Sequence, residues 1–196
     1  MIQYMSIVSK LASAESAASF DKRDSFAPFK SYLDDMRREG AVVVIQLDGS
    51  PAANAKGAYS VIATGGQLAS EHVSVDADTL SVALLHAIDV YARKGWLFDD
   101  ALALDLLKTL TAPIADPHDD VDICLPYLEK MKSEGASVLL KLDGQRGHGD
   151  NGPFTAAVRG GLLKDDFIRI DADSLAEAAA YIVVEYDRRC WRFSPG

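Results

Sequence analysis

Several things are scarce in this chain of 196 residues. It has two cysteines, Cys124 and Cys190, and no C-x-x-C pair. That excludes a disulfide framework and argues against a thiolate zinc site. Its four histidines, His72, His86, His118 and His148, form no H-x-x-x-H or H-E-x-x-H pair, so neither a metal nor a cofactor is expected. No G-x-S-x-G elbow, no G-K-[ST] phosphate loop and no G-x-G-x-x-G fingerprint is present, which removes the commonest legible enzyme signatures. No apolar run reaches the ~18 residues of a membrane span, and residues 1–20 lack the basic start and continuous apolar stretch of a signal peptide. A cytoplasmic location without membrane contact is the expectation. Apolar residues make up 48% and charged residues 25%, which excludes disorder over the whole length.

What the chain does have is an internal repeat. A shift of 95 places residues 32–98 on 127–193 without a gap. Tyr32/Tyr127, Leu33/Leu128, Met36/Met131, Glu39/Glu134, Gly40/Gly135 and Val43/Val138 coincide. Leu47-Asp48-Gly49 falls on Leu142-Asp143-Gly144, and Gly65-Gly66 on Gly160-Gly161. Asp76-Ala77-Asp78 falls on Asp171-Ala172-Asp173, and Tyr91, Arg93, Trp96 and Phe98 on Tyr186, Arg188, Trp191 and Phe193. Two copies are too few for a solenoid, so a pseudo-symmetric pair is the natural reading.

Each unit reads as α-β-β-β-α. The first helix is expected at 31–39 and 126–134, closed by Gly40 and Gly135. Apolar alternation through Val43, Ile45 and Leu47, and through Val138, Leu140 and Leu142, gives the first strand. A polar, glycine-bearing loop leads to a second strand at 58–64 and 153–159. The third strand is expected at 72–75 and 167–170. Thr79 and Ser174 read as N-caps of the last helix, with Asp76, Asp78, Asp171 and Asp173 beside the positive end of its dipole. The expected fold class is therefore α+β: a tandem duplication of an α-β-β-β-α unit, each a three-stranded antiparallel sheet covered by helices, the two related by a pseudo-two-fold. The implied organisation is an N-terminal helical arm (1–31), repeat unit 1 (32–98), an acidic helical connector (99–126) and repeat unit 2 (127–196).

The net charge of −9 is concentrated in that connector, where seven acidic residues face one lysine. Asp116, Asp119, Asp120 and Asp122 surround His118. Their spacing lacks the ladder, central glycine and closing glutamate of an EF-hand loop. They read as a solvated linker, or as a patch that steers the protein toward a basic protein surface. A second candidate is the loop 142–152, where Arg146, His148 and Asp150 lie among glycines. It joins two strands rather than a strand to a helix, so a phosphate cradle is not expected. The first copy has Ser50-Pro-Ala-Ala-Asn-Ala-Lys56 there, so any contact role belongs to the second copy alone. The two matched tryptophans are expected to close each core.

The α-β-β-β-α order resembles that of double-stranded RNA-binding domains. Their last helix opens on a basic cluster, whereas here Asp76-Ala-Asp-Thr-Leu80 and Asp171-Ala-Asp-Ser-Leu175 stand at that place. Duplex nucleic acid is therefore not an expected partner. The β-β-β-α part is similar to the small N-terminal domain of HicB-type antitoxins, on the Asp-Thr-Leu helix start after the third strand. Together these observations point to a non-catalytic protein-binding protein, monomeric or homodimeric. An inhibitor in a bacterial or phage conflict system (immunity, antitoxin-like or anti-defence) fits that description. The alternative is an enzyme or small-ligand sensor with its site between the repeats.

Overall fold

In the computed structural model, residues 24–50, 57–95, 120–146 and 151–192 are described. The expected N-terminal helix, most of the connector, and Trp96, His118, His148 and Asp150 lie outside them. A 3-10 turn, Ala27–Phe29, leads into α1 (Lys30–Arg38). Then come β1 (Ala41–Asp48), β2 (Tyr59–Gly65), β3 (His72–Ala77) and α2 (Leu80–Gly95). The same order follows as α3 (Asp120–Ser133), β4 (Ala136–Asp143), β5 (Phe154–Gly160), β6 (Phe167–Ala172) and α4 (Leu175–Tyr186). A π-helical turn, Asp187–Trp191, extends α4.

The fold is α+β: the described residues form one six-stranded antiparallel sheet in the order β3-β2-β1-β4-β5-β6 and four α-helices. The expectation was a three-stranded sheet in each unit, with the arrangement of the two units left open. Here β1 pairs with β4, with Ile45 opposite Leu140 and Val43 opposite Leu142. The physical reason lies in the backbone. Each first strand has two hydrogen-bonding edges, β2 or β5 uses only one, and the other needs a partner.

The strand ends at this junction explain the repeated Leu-Asp-Gly. Gly49 N–H donates to Ala136 O at 3.0 Å, and Gly144 N–H donates to Ala41 O at 2.9 Å. Each glycine also passes against the end of the other half's first helix. A methyl group on Gly49 would overlap the carbonyl oxygen of Lys132, and one on Gly144 that of Arg37. Only glycine permits this approach.

Strand periodicity decides which face is buried. Val43, Ile45 and Leu47 on β1 and Val138, Leu140 and Leu142 on β4 point to one side, where they are 0–2% exposed. All four helices pack on that side. Leu84, Ile88 and Tyr91 of α2 and Ile182, Val183 and Tyr186 of α4 form the apolar stripes expected from helical spacing. Met36, Leu128 and Met131 complete one core cluster running under both halves of the sheet.

Two local expectations are corrected. The first helix of the second half starts at Asp120 rather than 126, with Pro126 inside it. Val121, Cys124, Leu125 and Leu128 are buried at helical spacing, and this outweighs the one ladder bond that proline forfeits. Asp76 and Asp171 lie on β3 and β6, not in a helix start. Each accepts a cross-strand hydroxyl bond, from Ser60 Oγ and Thr155 Oγ1 respectively, at 2.5 Å. The caps themselves are as expected: Thr79 Oγ1 accepts from Val82 N at 3.3 Å, and Ser174 Oγ accepts from Glu177 N at 3.1 Å.

Candidate interaction surface

The sheet face opposite the helices carries the alternate residues of every strand, and no described helix covers it. Its two ends are built on matched positions but differ in chemistry. On the second half, Asp143 accepts from Lys141 Nζ at 2.7 Å and from Gln145 N at 3.1 Å, with Arg146 Nε 3.3 Å away. Arg146 Nη1 also reaches Asp171 Oδ1 at 3.2 Å and donates to Gly152 O at 3.1 Å. Arg169 stands 3.4 Å from Asp171.

Burial opposes ionisation of Asp143. The Lys141 bond, the Gln145 N–H and the charges of Lys141 and Arg146 outweigh it and hold the carboxyl below the usual range. Asp171 behaves likewise: burial raises it, while Thr155, Arg146 and Arg169 together lower it further. In the first half the counterparts of Lys141, Arg146 and Arg169 are Gln46, Pro51 and Ser74. There Asp48 accepts a local bond from Ser50 N at 2.9 Å, and Asp76 the Ser60 hydroxyl.

The apolar contrast is sharper. Phe167 is 62% exposed and Leu162 50% exposed. Their counterparts are His72 and Gln67. Phe167 stands directly across the ladder from Arg159. With Ser137, Leu139, Lys164 and Asp166 these two line a groove of about 790 Å³ on the open face. Large exposed apolar side chains rimmed by charge characterise contact surfaces.

Of the residues expected from sequence to meet a partner, Asp120, Asp122 and Arg146 are among the described residues. Asp116, Asp119, His148 and Asp150 lie outside the described residues, and Asp120 opens α3. Asp122 is built into the fold. It accepts from Phe26 N at 2.7 Å, from Ala27 N at 3.2 Å and from Ser25 Oγ at 2.7 Å. It thereby caps the turn that enters α1. Arg146 belongs to the open face, as the bridge between Asp143 and Asp171.

Two clusters on the helix side were not anticipated. Tyr59 donates to Glu129 Oε1 at 2.7 Å and accepts from Lys132 Nζ at 2.6 Å. Lys132 also pairs with Glu129 Oε2 at 2.7 Å. Burial, then the bond to Glu129, drives the phenol pKa far above its ordinary value, so this hydroxyl is a strut and not a nucleophile. The counterparts are Phe154, Asp34 and Arg37, with Arg37 lying 5.2 Å over the Phe154 ring. Aromatic, acid and base recur at the shift of 95 as conservative pairs. That was the available signal, and attention to identities alone passes over it.

The second cluster explains repeated identities. Tyr91 donates to Glu39 Oε2 at 2.9 Å and accepts from Gln67 N at 3.1 Å. Tyr186 donates to Glu134 Oε2 at 3.3 Å and accepts from Leu162 N at 3.3 Å. Burial is the main reason both phenols are pushed up to about 12. The same Glu134 accepts from Trp191 Nε1 at 2.9 Å. Trp191 is half-buried rather than enclosed.

Among the described residues, no group of three or more His, Cys, Asp or Glu is placed to hold a metal ion. Cys124 is buried. Burial, and after it the charge of Glu134, pushes the Cys190 thiol up, away from the reactive thiolate. No described helix is long and apolar enough to cross a membrane. The chain matches no known family model, no curated protein and no solved structure.

Proposed function

We propose that this is a non-catalytic protein-binding protein whose contact surface is the open sheet face of the second half, around Phe167. The observation that carries this reading is an internal comparison. Two like positions hold Gln67 and His72 at one end of the sheet and exposed Leu162 and Phe167 at the other. Leaving two large apolar groups in water confers no folding advantage, and an aromatic anchor with a charged rim suits a partner. The net charge of −9 favours a partner of net positive charge at long range. An inhibitor of the immunity, antitoxin-like or anti-defence kind remains the function class that this chemistry fits. We read the architecture behind it as a tandem duplication of an α-β-β-β-α unit with a pseudo-two-fold at the β1–β4 ladder. The matched junction glycines, tyrosine–glutamate bonds and N-caps support that reading.

The test uses capture from the native cytoplasm with the intact chain and two variants. Phe167→His with Leu162→Gln, which copies the first half, is expected to lose the captured protein. Val82→Ser with Val90→Ser removes exposed apolar groups from α2 instead and is expected to retain it. Equal capture by all three proteins would reject this surface.

A second reading, binding of a small ligand, has one observation in its favour. A cavity of about 350 Å³ is lined by Phe26, Leu33, Arg37, Phe154 and the start of α4. Among the described residues, Arg37 Nε is buried there without a hydrogen-bond partner, 3.8 Å from Asp34 Oδ1. Small carboxylates that raise the melting temperature of the intact protein but not of Arg37→Met would support it.

A further inference from the structure

Among the described residues, β3 and β6 each have a neighbour on one side only. A free edge presents a row of unpaired N–H and C=O groups, and folded proteins usually blunt it with proline, bulges or short strands. β6 has no proline, and its ladder with β5 runs unbroken from Phe154–Ala172 to Arg159–Phe167. About Ile170 its sequence, Phe-Ile-Arg-Ile-Asp-Ala, is complementary to its own reverse: Arg169 answers Asp171, and Ile168 answers Ala172.

Consider a second β6 laid antiparallel with Ile170 opposite Ile170. Pleating requires directly opposed residues to share a face, and centring on a residue satisfies this. On the helix side Ile168 then meets Ala172, and Ile170 meets its own copy. On the open side Arg169 meets Asp171 twice, once on each side of the axis. Cross-strand pairs of opposite charge and of apolar groups are the ones that stabilise a ladder. Arg169 is free to take this role: it is 52% exposed and reaches its own Asp171 only at 3.4 Å, longer than a good charge-assisted bond.

The β3 edge does not offer the same match. The equivalent alignment, centred on Val75, sets Ser74 opposite Asp76 and supplies no cation where β6 has Arg169.

We propose that two copies of this chain associate edge to edge through β6, in antiparallel register about Ile170, to make a continuous twelve-stranded sheet. The interface is isologous and closes on itself, so it gives a dimer and not a fibre. It leaves the open faces of both copies free and side by side, so the proposal stands independently of what those faces bind. The contact is small, which places its affinity in about the micromolar range.

Sedimentation of the full chain from about 1 to 300 µM tests this. The expected result is a monomer that becomes a dimer across that range. Arg169→Glu puts like charges opposite each other at two places and is expected to weaken association at least tenfold. The variant also loses the contact of Arg169 with its own Asp171, so its monomer is expected to melt slightly lower, and association is compared at a temperature where both monomers are folded. Residues opposed at a two-fold lie about 4.5–5.5 Å apart between Cα atoms, within disulfide reach. On a Cys190→Ser background, Ile170→Cys is therefore expected to give a covalent dimer with an added oxidant, and Val75→Cys is not. A monomer at every concentration, an Arg169→Glu protein that associates as before, or cross-linking through position 75 instead of 170 would each overturn the proposal.

Discussion

At the outer end of the first half of the sheet, positions 67 and 72 are Gln and His. At the outer end of the second half the matched positions, 162 and 167, are Leu and Phe. Among the described residues, the network Lys141–Asp143–Arg146–Asp171 likewise has no cationic counterpart around Gln46, Asp48 and Asp76. On the buried side the two halves remain close. Tyr91 and Tyr186 hold Glu39 and Glu134, Gly49 and Gly144 pass equivalent helix ends, and Thr79 and Ser174 cap equivalent helices. A substitution in a close-packed interior costs stability at once, whereas one on an open face is nearly neutral until a partner reads it. The difference between the halves therefore separates residues kept for folding from residues free to serve contact.

The largest effect is expected where the halves meet. Gly49→Ala and Gly144→Ala each force a methyl group into backbone, and each is expected to destabilise by about 3 kcal/mol. Urea unfolding that showed one costly and the other neutral would break the equivalence of the two junctions. Next in size is Asp122→Ala, which removes the acceptor of three bonds at the entry to α1. A loss of about 1–2 kcal/mol is expected, in contrast with a purely solvated acid, whose removal leaves the midpoint unchanged.

Tyr91→Phe and Tyr186→Phe come third. Each deletes a hydroxyl that both donates and accepts, at about 1 kcal/mol, and similar losses in the two halves would sharpen the comparison. The smallest effect is electrostatic and confined to one half. The Asp143 carboxyl is held below its unfolded value, so its stabilisation is present above about pH 4 and is lost as pH falls through the lower, folded value. Lys141→Gln copies the first half. It is expected to cost about 1 kcal/mol at neutral pH, the difference from the parent shrinking as the solution is acidified. A difference that grew toward low pH would reject the pairing.

Much of the element order was legible because it rests on local rules. Alternation at period 2 and stripes at period 3.6 follow from backbone geometry, and hydroxyl caps follow from the free N–H groups of a first turn. What failed was also local in origin. Aspartate and proline at 120–126 read as linker, because a short window shows composition and not the core that Val121 and Cys124 enter. Asp122, one of the expected contact acids, shows the same. An exposed carboxylate and one that caps a turn 96 residues away, as Asp122 does with Phe26 N, look the same in a chain.

Along the chain alone, the repeat sets Leu-Asp-Gly, Gly-Gly, Glu and Tyr at matched positions of two stretches. Only the three-dimensional arrangement says why. β1–β4 pairing is made by backbone N–H and C=O groups, which every residue but proline carries, so no side-chain pattern announces it. Once the two central strands are joined, their glycines must clear the opposite helices and the four helices must share one face. The other face is thereby left to Phe167, Arg159 and Arg146, whose meaning depends on neighbours that sequence distance conceals.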